Sequence, residues 1–268
     1  MEKPWLKSYE PGINAEIDIT RYKSITDVFA QSAAKFATKP AFQNMGKTLT
    51  YAETAKLVAD FASYLQNVLK LPRGERVAIM LPNLLQYPVA LFGALQAGMV
   101  VVNTNPLYTP RELEHQLKDS GASVIVVLEN FAATLQAVLP NTQVKHVIVA
   151  SVGDMFGAIK GGIINFVVRK IKKMVPAYHI ENAIPFQTAM KQGAAQPFQK
   201  VELTRSDTAF LQYTGGTTGV AKGAILSHGN ICANMMQAAE WIKNRLRQGE
   251  ETVIAALPLY HIFALTVN

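Results

Sequence analysis

Hydrophobic positions in the middle of the chain alternate between two periodicities. Apolar runs of strand length, without polar alternation, occupy 75–81, 100–103, 123–128 and 144–150. Between these runs, apolar residues at helical spacing predict helices over 84–97, 109–120 and 131–139. Strands that lack polar alternation and are separated by helices indicate a parallel sheet covered on both faces. The pattern therefore predicts a doubly wound, mostly parallel α/β fold.

Helix start and stop signals support this division. Thr50 and Glu53 form a capping box that opens a helix running to about residue 69. Thr109 and Glu112 form a second box, with proline at the first helical position, and Gly121 stops that helix.

The chain divides into a lead-in and one domain. Residues 1–24 show no periodicity and are predicted to be extended, whereas 25–268 carries the regular pattern. This domain opens with a helix over 25–36 and a short strand or turn at 47–50. No second domain is expected within these 268 residues.

Four further elements are predicted after residue 200. They are a buried strand over 207–213, an apolar stretch over 223–227, a helix over 230–246 with a basic last turn, and a buried strand over 251–257. Ligands of open α/β sheets bind beyond the carboxyl ends of strands, so residues 214–222 and 258–263 are expected at the site.

A basic amphipathic insertion at 152–176 interrupts the fold. Its apolar face consists of Phe156, Ile159, Ile163, Val167, Ile171 and Met174. The opposite face carries Asn165, Arg169, Lys172 and Lys173. Two readings are open: residues 155–174 lie on an anionic membrane surface, or the apolar face packs on the domain and the lysines face water.

Composition narrows the functional classes only slightly. The net charge of +7, from 26 basic and 19 acidic residues, suits an anionic substrate or membrane surface, and no nucleic-acid partner is expected. The single cysteine, Cys232, excludes an intramolecular disulfide and a cysteine metal cluster. A reducing, cytoplasmic setting fits, and the N-terminus lacks the apolar core of a secretion signal.

The segment Tyr213-Thr-Gly-Gly-Thr-Thr-Gly-Val-Ala-Lys-Gly223 has the composition of a phosphate-binding loop. Glycines bring backbone N–H groups close to a ligand, threonines add hydroxyl donors, and the lysine adds positive charge. The predicted phosphate-binding residues are Tyr213, Thr214, Gly215, Gly216, Thr217, Thr218, Gly219 and Lys222. The spacing matches neither the Walker phosphate loop nor the dinucleotide fingerprint. A glycine-rich hairpin turn is the alternative, but it would need neither three hydroxyls nor the lysine.

Together with Pro258-Leu-Tyr-His-Ile-Phe-Ala264, this segment resembles the signature motifs of the acyl-adenylate-forming (AMP-binding) superfamily. Most members of that superfamily have serine where this chain has Gly215. The Gly-Gly form resembles that of bacterial long-chain fatty acid CoA ligases, and the similarity runs over the whole chain.

The resemblance implies a two-step reaction with ATP, Mg²⁺, coenzyme A and a fatty acid. Lys222 and His261 are the implied catalytic residues, and Tyr260, His261 and Phe263 the implied substrate residues. Because a fatty acid is ionised at neutral pH, His261 is expected to orient the carboxylate rather than act as a base. A buried histidine bonded to backbone is the alternative for His261. The remaining histidines, His115 among them, have no partner motif and are expected to be structural or exposed.

Complete members of the superfamily are about twice this length. Their adenine, ribose and magnesium residues, and a second domain, would lie beyond residue 268, so no metal ligand is predicted here. The chain is therefore expected to be the N-terminal portion of such a ligase, inactive alone, peripheral on the inner face of the membrane and a homodimer when whole. A ligase for another carboxylic acid, or a non-catalytic membrane-associated remnant, are the alternatives.

Overall fold

The computed structural model describes residues 2–214 and 220–267. The strands are β1 (Pro40–Asn44), β2 (Lys47–Thr50), β3 (Arg76–Met80), β4 (Val100–Asn103), β5 (Val124–Leu128), β6 (His146–Ala150), β7 (Ile184–Pro185), β8 (Thr208–Thr214) and β9 (Lys222–Ser227). The helices are α1 (Ile25–Lys35), α2 (Tyr51–Ser63), α3 (Gln86–Gln96), α4 (Pro110–Ser120), α5 (Ala132–Val138), α6 (Ala158–Phe166), α7 (Phe186–Ala194), α8 (His228–Ile242) and α9 (Ile262–Val267).

The main sheet has the strand order β7-β6-β5-β3-β4-β8-β9. Neighbouring strands from β7 to β8 run parallel, while β8 and β9 form an antiparallel pair at one edge. β1 and β2 form a separate antiparallel hairpin. The predicted doubly wound, mostly parallel fold is therefore confirmed.

Helices cover both faces of the sheet. Val77 and Ile79 of β3 belong to a core that includes side chains of α2, α3 and α7. The intervening Ala78 and Met80 belong to a second core shared with α4 and α5. Because successive side chains of a strand point to opposite faces, this division explains why the strand sequences are apolar throughout.

Both predicted capping boxes are present. The Thr50 and Thr109 side chains accept from the backbone N–H of Glu53 and Glu112, whose carboxylates accept from the cap residues in return. Gly121 ends α4 in the left-handed region, at φ 62°. Within the lead-in, by contrast, Pro4–Ser8 forms a short 3₁₀ helix where extended chain was predicted.

Two predictions after residue 240 are wrong. The helix predicted to reach residue 246 ends at Ile242, so its supposed basic last turn lies outside it. The predicted buried strand over 251–257 is irregular and exposed, with the Ile254 side chain 87% accessible. Among the described residues this apolar segment pairs with no strand, and strand formation depends on such pairing.

Side-chain amides, rather than a strand ladder, hold the segment that leads to Pro258. Asn83 Nδ2 donates to the carbonyl oxygens of Ala255 and Leu257, both at 2.8 Å, and Asn83 Oδ1 accepts from Leu259 N at 2.8 Å. Gln212 Nε2 of β8 donates to the Tyr260 carbonyl at 3.0 Å. The segment is thereby attached to the carboxyl end of the sheet.

Gln212 belongs to a buried polar network. Its Oε1 accepts from Asn103 Nδ2 at 3.1 Å, and the Tyr87 hydroxyl lies 2.8 Å from both Asn103 Oδ1 and the Leu259 carbonyl. Gln116 of α4 donates to the Asn103 carbonyl at 2.9 Å. A buried polar group that loses its partner destabilises the fold, and these groups share partners. The contacts therefore depend on one another.

Replacing Gln212 with leucine should break this attachment. The Gln212→Leu variant leaves Asn103 Nδ2 and the Tyr260 carbonyl without their partner, which should cost about 1–3 kcal/mol in unfolding free energy. Urea denaturation measures the loss, and hydrogen–deuterium exchange should speed up over 258–264. Gln31→Leu is the matched control, because the Gln31 amide bonds Asp27 at the exposed surface. Equal losses of unfolding free energy in Gln212→Leu and Gln31→Leu would contradict the role of Gln212 in attaching residues 258–264 to the sheet.

Candidate functional site

The predicted phosphate-binding segment forms the connection between β8 and β9. Thr214 and Lys222 are the last paired residues of the hairpin and face each other across it. Both are exposed, whereas Tyr213 is buried. The predictions for residues 215–219 (Gly215, Gly216, Thr217, Thr218 and Gly219) lie outside the described residues. The structure thus brings one hydroxyl-bearing and one cationic residue to the two ends of the connection.

Helix α4 contacts both ends of this connection. The Tyr213 hydroxyl donates to Asp119 Oδ2 at 2.6 Å, and His115 Nε2 lies 2.8 Å from the Ala221 carbonyl. Since a carbonyl can only accept, His115 Nε2 must carry the proton. Burial, together with the hydrogen bond and negative charge of Asp119, raises the pKa of Tyr213 well above its usual range. Tyr213 is therefore a neutral donor at physiological pH.

The Tyr213 ring is also packed tightly from the opposite strand. A Cβ atom at Gly223, its partner in the β8–β9 register, would lie 2.9 Å from the ring carbon Cζ. Any side chain at Gly223 would displace the ring and with it the hydroxyl that reaches Asp119. Close packing, rather than an unusual backbone angle, accounts for this glycine.

The second motif lies beside β8 through the Gln212 contact. Tyr260 is half-buried, whereas His261 and Phe263 are exposed. The alternative of a buried histidine at a strand end is wrong, because His261 is exposed and follows a turn closed by His261 N and the Pro258 carbonyl. Burial, with the negative charge of Glu112 and the Tyr260 hydroxyl adding to it, raises the pKa of Tyr108.

Several residues that build the site were not singled out from the sequence. Asn103 and Gln212 carry a usable signal, since Asn103 is the lone polar residue of β4 and Gln212 is the one amide side chain of β8, and a buried amide needs a partner. His115 and Asp119 carry no such signal. They lie on a polar helix face, and only the sheet order brings that face to a hairpin about a hundred residues away in sequence.

The insertion contacts the domain through Asn165 and Arg169 of its polar face, while Lys172 and Lys173 of the same face are exposed. Arg169 Nε donates to Glu129 Oε2 at 2.7 Å, and Arg169 Nη2 donates to Ser151 Oγ at 2.9 Å. The Glu129 side chain is only 2% exposed. Asn165 Oδ1 accepts from Gly153 N at 2.7 Å. The hydrogen bond and negative charge of Glu129 raise the pKa of Arg169, so the guanidinium stays charged where it contacts the domain.

Two more features lie where the insertion meets the domain: a close contact between backbones and a carboxyl group with a raised pKa. A Cβ atom at Gly161 of α6 would lie 2.3 Å from the Gly153 carbonyl oxygen, so this approach requires glycine. Nearby, burial raises the pKa of Asp154 to about 6, with the charge of Glu129 adding to the shift.

The apolar face of the insertion points outward. Ile159 is 83% exposed and Ile163 60% exposed, and Phe166, Ile171 and Met174 are exposed as well. The reading in which this face packs on the domain is therefore wrong for Ile159, Ile163, Ile171 and Met174, although its lysines, Lys172 and Lys173, do face water. Within the described residues, no helix has both the length and the apolar character needed to cross a bilayer.

Comparison with known proteins agrees with the architecture. The family described as "AMP-binding enzyme" matches residues 29–268. The long-chain-fatty-acid CoA ligase of Yersinia pestis is 54% identical over all 268 residues, which cover 48% of the relative. The ligase of the same description from Bacillus subtilis is 36% identical over 99% of this chain and 47% of its own. The chain spans about half the length of these relatives.

Solved structures share the fold. A crystal structure described as a long-chain-fatty-acid CoA ligase from Archaeoglobus fulgidus has a TM-score of 0.68 at 23% identity, covering 96% of this chain and 47% of its own. Only about half of that protein corresponds to this chain, so the domain is partial. From the family match over most of its length and the identity to the curated ligases, this chain belongs to the AMP-binding enzyme family.

Proposed function

We propose that this chain supplies the phosphate- and acyl-binding part of a ligase that converts a long-chain fatty acid to its coenzyme A thioester. One observation carries the proposal: Thr214 and Lys222 lie opposite each other at the ends of the glycine-rich connection, and Gln212 attaches the Tyr260 segment next to it. The names of the most similar relatives support a fatty acid as the acyl substrate.

The proposed reaction has two balanced steps. A carboxylate oxygen of the fatty acid attacks the α-phosphorus of ATP, the bond to the β-phosphate oxygen breaks, and pyrophosphate leaves. The thiol of coenzyme A then attacks the acyl carbon, the bond to AMP breaks, and the thiol proton passes to solvent. The carboxylate is ionised at neutral pH, so the first step needs no general base.

Catalysis then depends on positioning and on stabilising charge at the phosphate oxygens. Thr214 and the loop residues Gly215, Gly216, Thr217, Thr218 and Gly219 would donate to these oxygens, and Lys222 would meet the leaving pyrophosphate. Tyr213 would fix the start of the loop. Tyr260, His261 and Phe263 would contact the carboxylate and the start of the acyl chain.

Mg²⁺ is expected as the partner of ATP, where it neutralises phosphate charge. In the described part of the chain, no three His, Cys, Asp or Glu side chains form a group that could hold a metal ion. A homodimer of the whole protein stays a prediction.

Removing the lysine charge tests the phosphate assignment. Lys222→Ala should lower palmitate-dependent pyrophosphate release about a hundredfold, because a donor that stabilises developing charge is lost. The assay uses this chain alone and a chimaera in which the chain replaces the matching part of the Yersinia pestis relative. Lys200→Ala is the matched control, since Lys200 is an exposed lysine that pairs with the exposed Glu202.

Unchanged release by the Lys222→Ala chimaera would contradict the role of Lys222. The acyl specificity is read from the same assay with acetate and coumarate. Faster release with either acid than with palmitate would replace the long-chain proposal by a ligase for a short or aromatic acid. Release by the chain alone would contradict the expectation that it is inactive by itself.

We also propose that the exposed face of the insertion binds an anionic membrane surface. The Arg169–Glu129 ion pair holds one side of the insertion against the domain, and Ile159, Ile163 and Ile171 are turned outward. Lys170, Lys172 and Lys173 are exposed at the end of the same segment. Apolar side chains flanked by lysines suit the interface of a bilayer with anionic headgroups, where each lysine contributes about 1 kcal/mol.

Introducing acidic residues on this face should abolish membrane binding. Ile159→Asp combined with Ile163→Asp should reduce co-sedimentation with phosphatidylglycerol-containing vesicles to the level seen with neutral phosphatidylcholine vesicles. Ile19→Asp is the control, because Ile19 is an exposed isoleucine outside the insertion. Equal binding of the double variant and the control would exclude the face as a membrane contact.

A further inference from the structure

We propose that His115 and Asp119 of α4 are positioning residues that hold the two ends of the phosphate-binding loop at a fixed separation. The inference rests on the proposed function for its catalytic consequence, but its structural part can be tested without activity. Neither residue belongs to a motif, and neither lies in the loop itself.

The two contacts come from one helix face and reach opposite ends of the connection. His115 and Asp119 are four residues apart on α4, so their side chains lie one turn apart on the same side. Asp119 binds the Tyr213 hydroxyl, next to the end of β8. His115 binds the carbonyl of Ala221, the residue before β9. Helix α4 therefore contacts the chain on both sides of the connection between β8 and β9.

Helix α4 is itself firmly held. Its start carries the Thr109–Glu112 capping box and its end the left-handed Gly121. The side chains of Leu113 and Leu117 are fully buried in the core under the sheet. Because helix α4 is anchored in this way, it can act as a rigid support for a loop that connects strands at the edge of the sheet.

The chemistry of the two bonds suits a permanent clamp. A neutral tyrosine donating to a carboxylate makes a charge-assisted hydrogen bond, and the raised pKa of Tyr213 keeps its proton in place. The imidazole N–H of His115 pairs with a backbone carbonyl, so it constrains the chain at Ala221 whatever side chain stands there. Donors aimed at a phosphate need such preorganisation to be effective.

Trypsin cleavage after Lys222 reports directly on this clamp. His115→Ala and Asp119→Ala should each raise the cleavage rate at Lys222 about tenfold, the increase in local opening expected when one strong hydrogen bond is lost. Cleavage after Lys200, outside the hairpin, should not change. His115→Gln retains an N–H donor and should restore most of the protection.

Two further variants separate the clamp from general destabilisation. Tyr213→Phe keeps the ring against Gly223 and removes only the hydroxyl, so it should raise the cleavage rate at Lys222 as much as the loss of the Asp119 carboxylate does. It therefore tests the same hydrogen bond if Asp119→Ala folds poorly. Glu114→Ala is the matched control, because Glu114 lies on the same helix but binds Lys118 and Asn141. Unchanged cleavage at Lys222, or a parallel increase at Lys200, would overturn the proposal.

Kinetics in the chimaera test the catalytic consequence. Loss of the clamp should raise the KM for ATP about tenfold while the KM for palmitate stays the same, because only the phosphate side of the site is loosened. An equal rise in the KM for ATP and the KM for palmitate would overturn the positioning role. If the unaltered chimaera releases no pyrophosphate, the proposed function is wrong. The proteolysis experiment tests the clamp independently of that outcome.

Discussion

A glutamine buried in β8 links the two parts of the candidate site. Gln212 accepts from Asn103 in the neighbouring strand and donates to the carbonyl of Tyr260. In a strand covered on both faces, an amide without partners would be strongly unfavourable, so the network forms as a unit. The site at the carboxyl end of the sheet therefore depends on polar contacts inside the core.

Helix α4 extends the same principle to the hairpin. Gln116 reaches the buried network, while His115 and Asp119 reach the two ends of the β8–β9 connection. One helix thus relates the predicted phosphate-binding segment to the strands of the sheet. Elsewhere in the molecule, the ion pair of Arg169 with the buried Glu129 fixes the insertion with Ile159 and Ile163 outward, an orientation that the periodicity of the segment does not determine.

Much of the fold could be predicted from the sequence because its signals are local. Capping boxes at Thr50 and Thr109 and uniformly apolar strands have direct structural causes. The errors occur where neighbours decide the outcome. The apolar segment 251–257 lacks a pairing strand among the described residues, and the inward face of the insertion is chosen by Glu129. The motifs predict where the site lies, whereas the α4 contacts required the three-dimensional arrangement.

The central claim is that the connection between Thr214 and Lys222 binds the phosphates of ATP. Hydrogen–deuterium exchange of the chimaera, with and without saturating ATP and Mg²⁺, tests it most directly. The account predicts that nucleotide slows exchange in peptides covering 213–224, and that Lys222→Ala weakens this protection. Protection confined to other segments, with 213–224 unchanged, would contradict it.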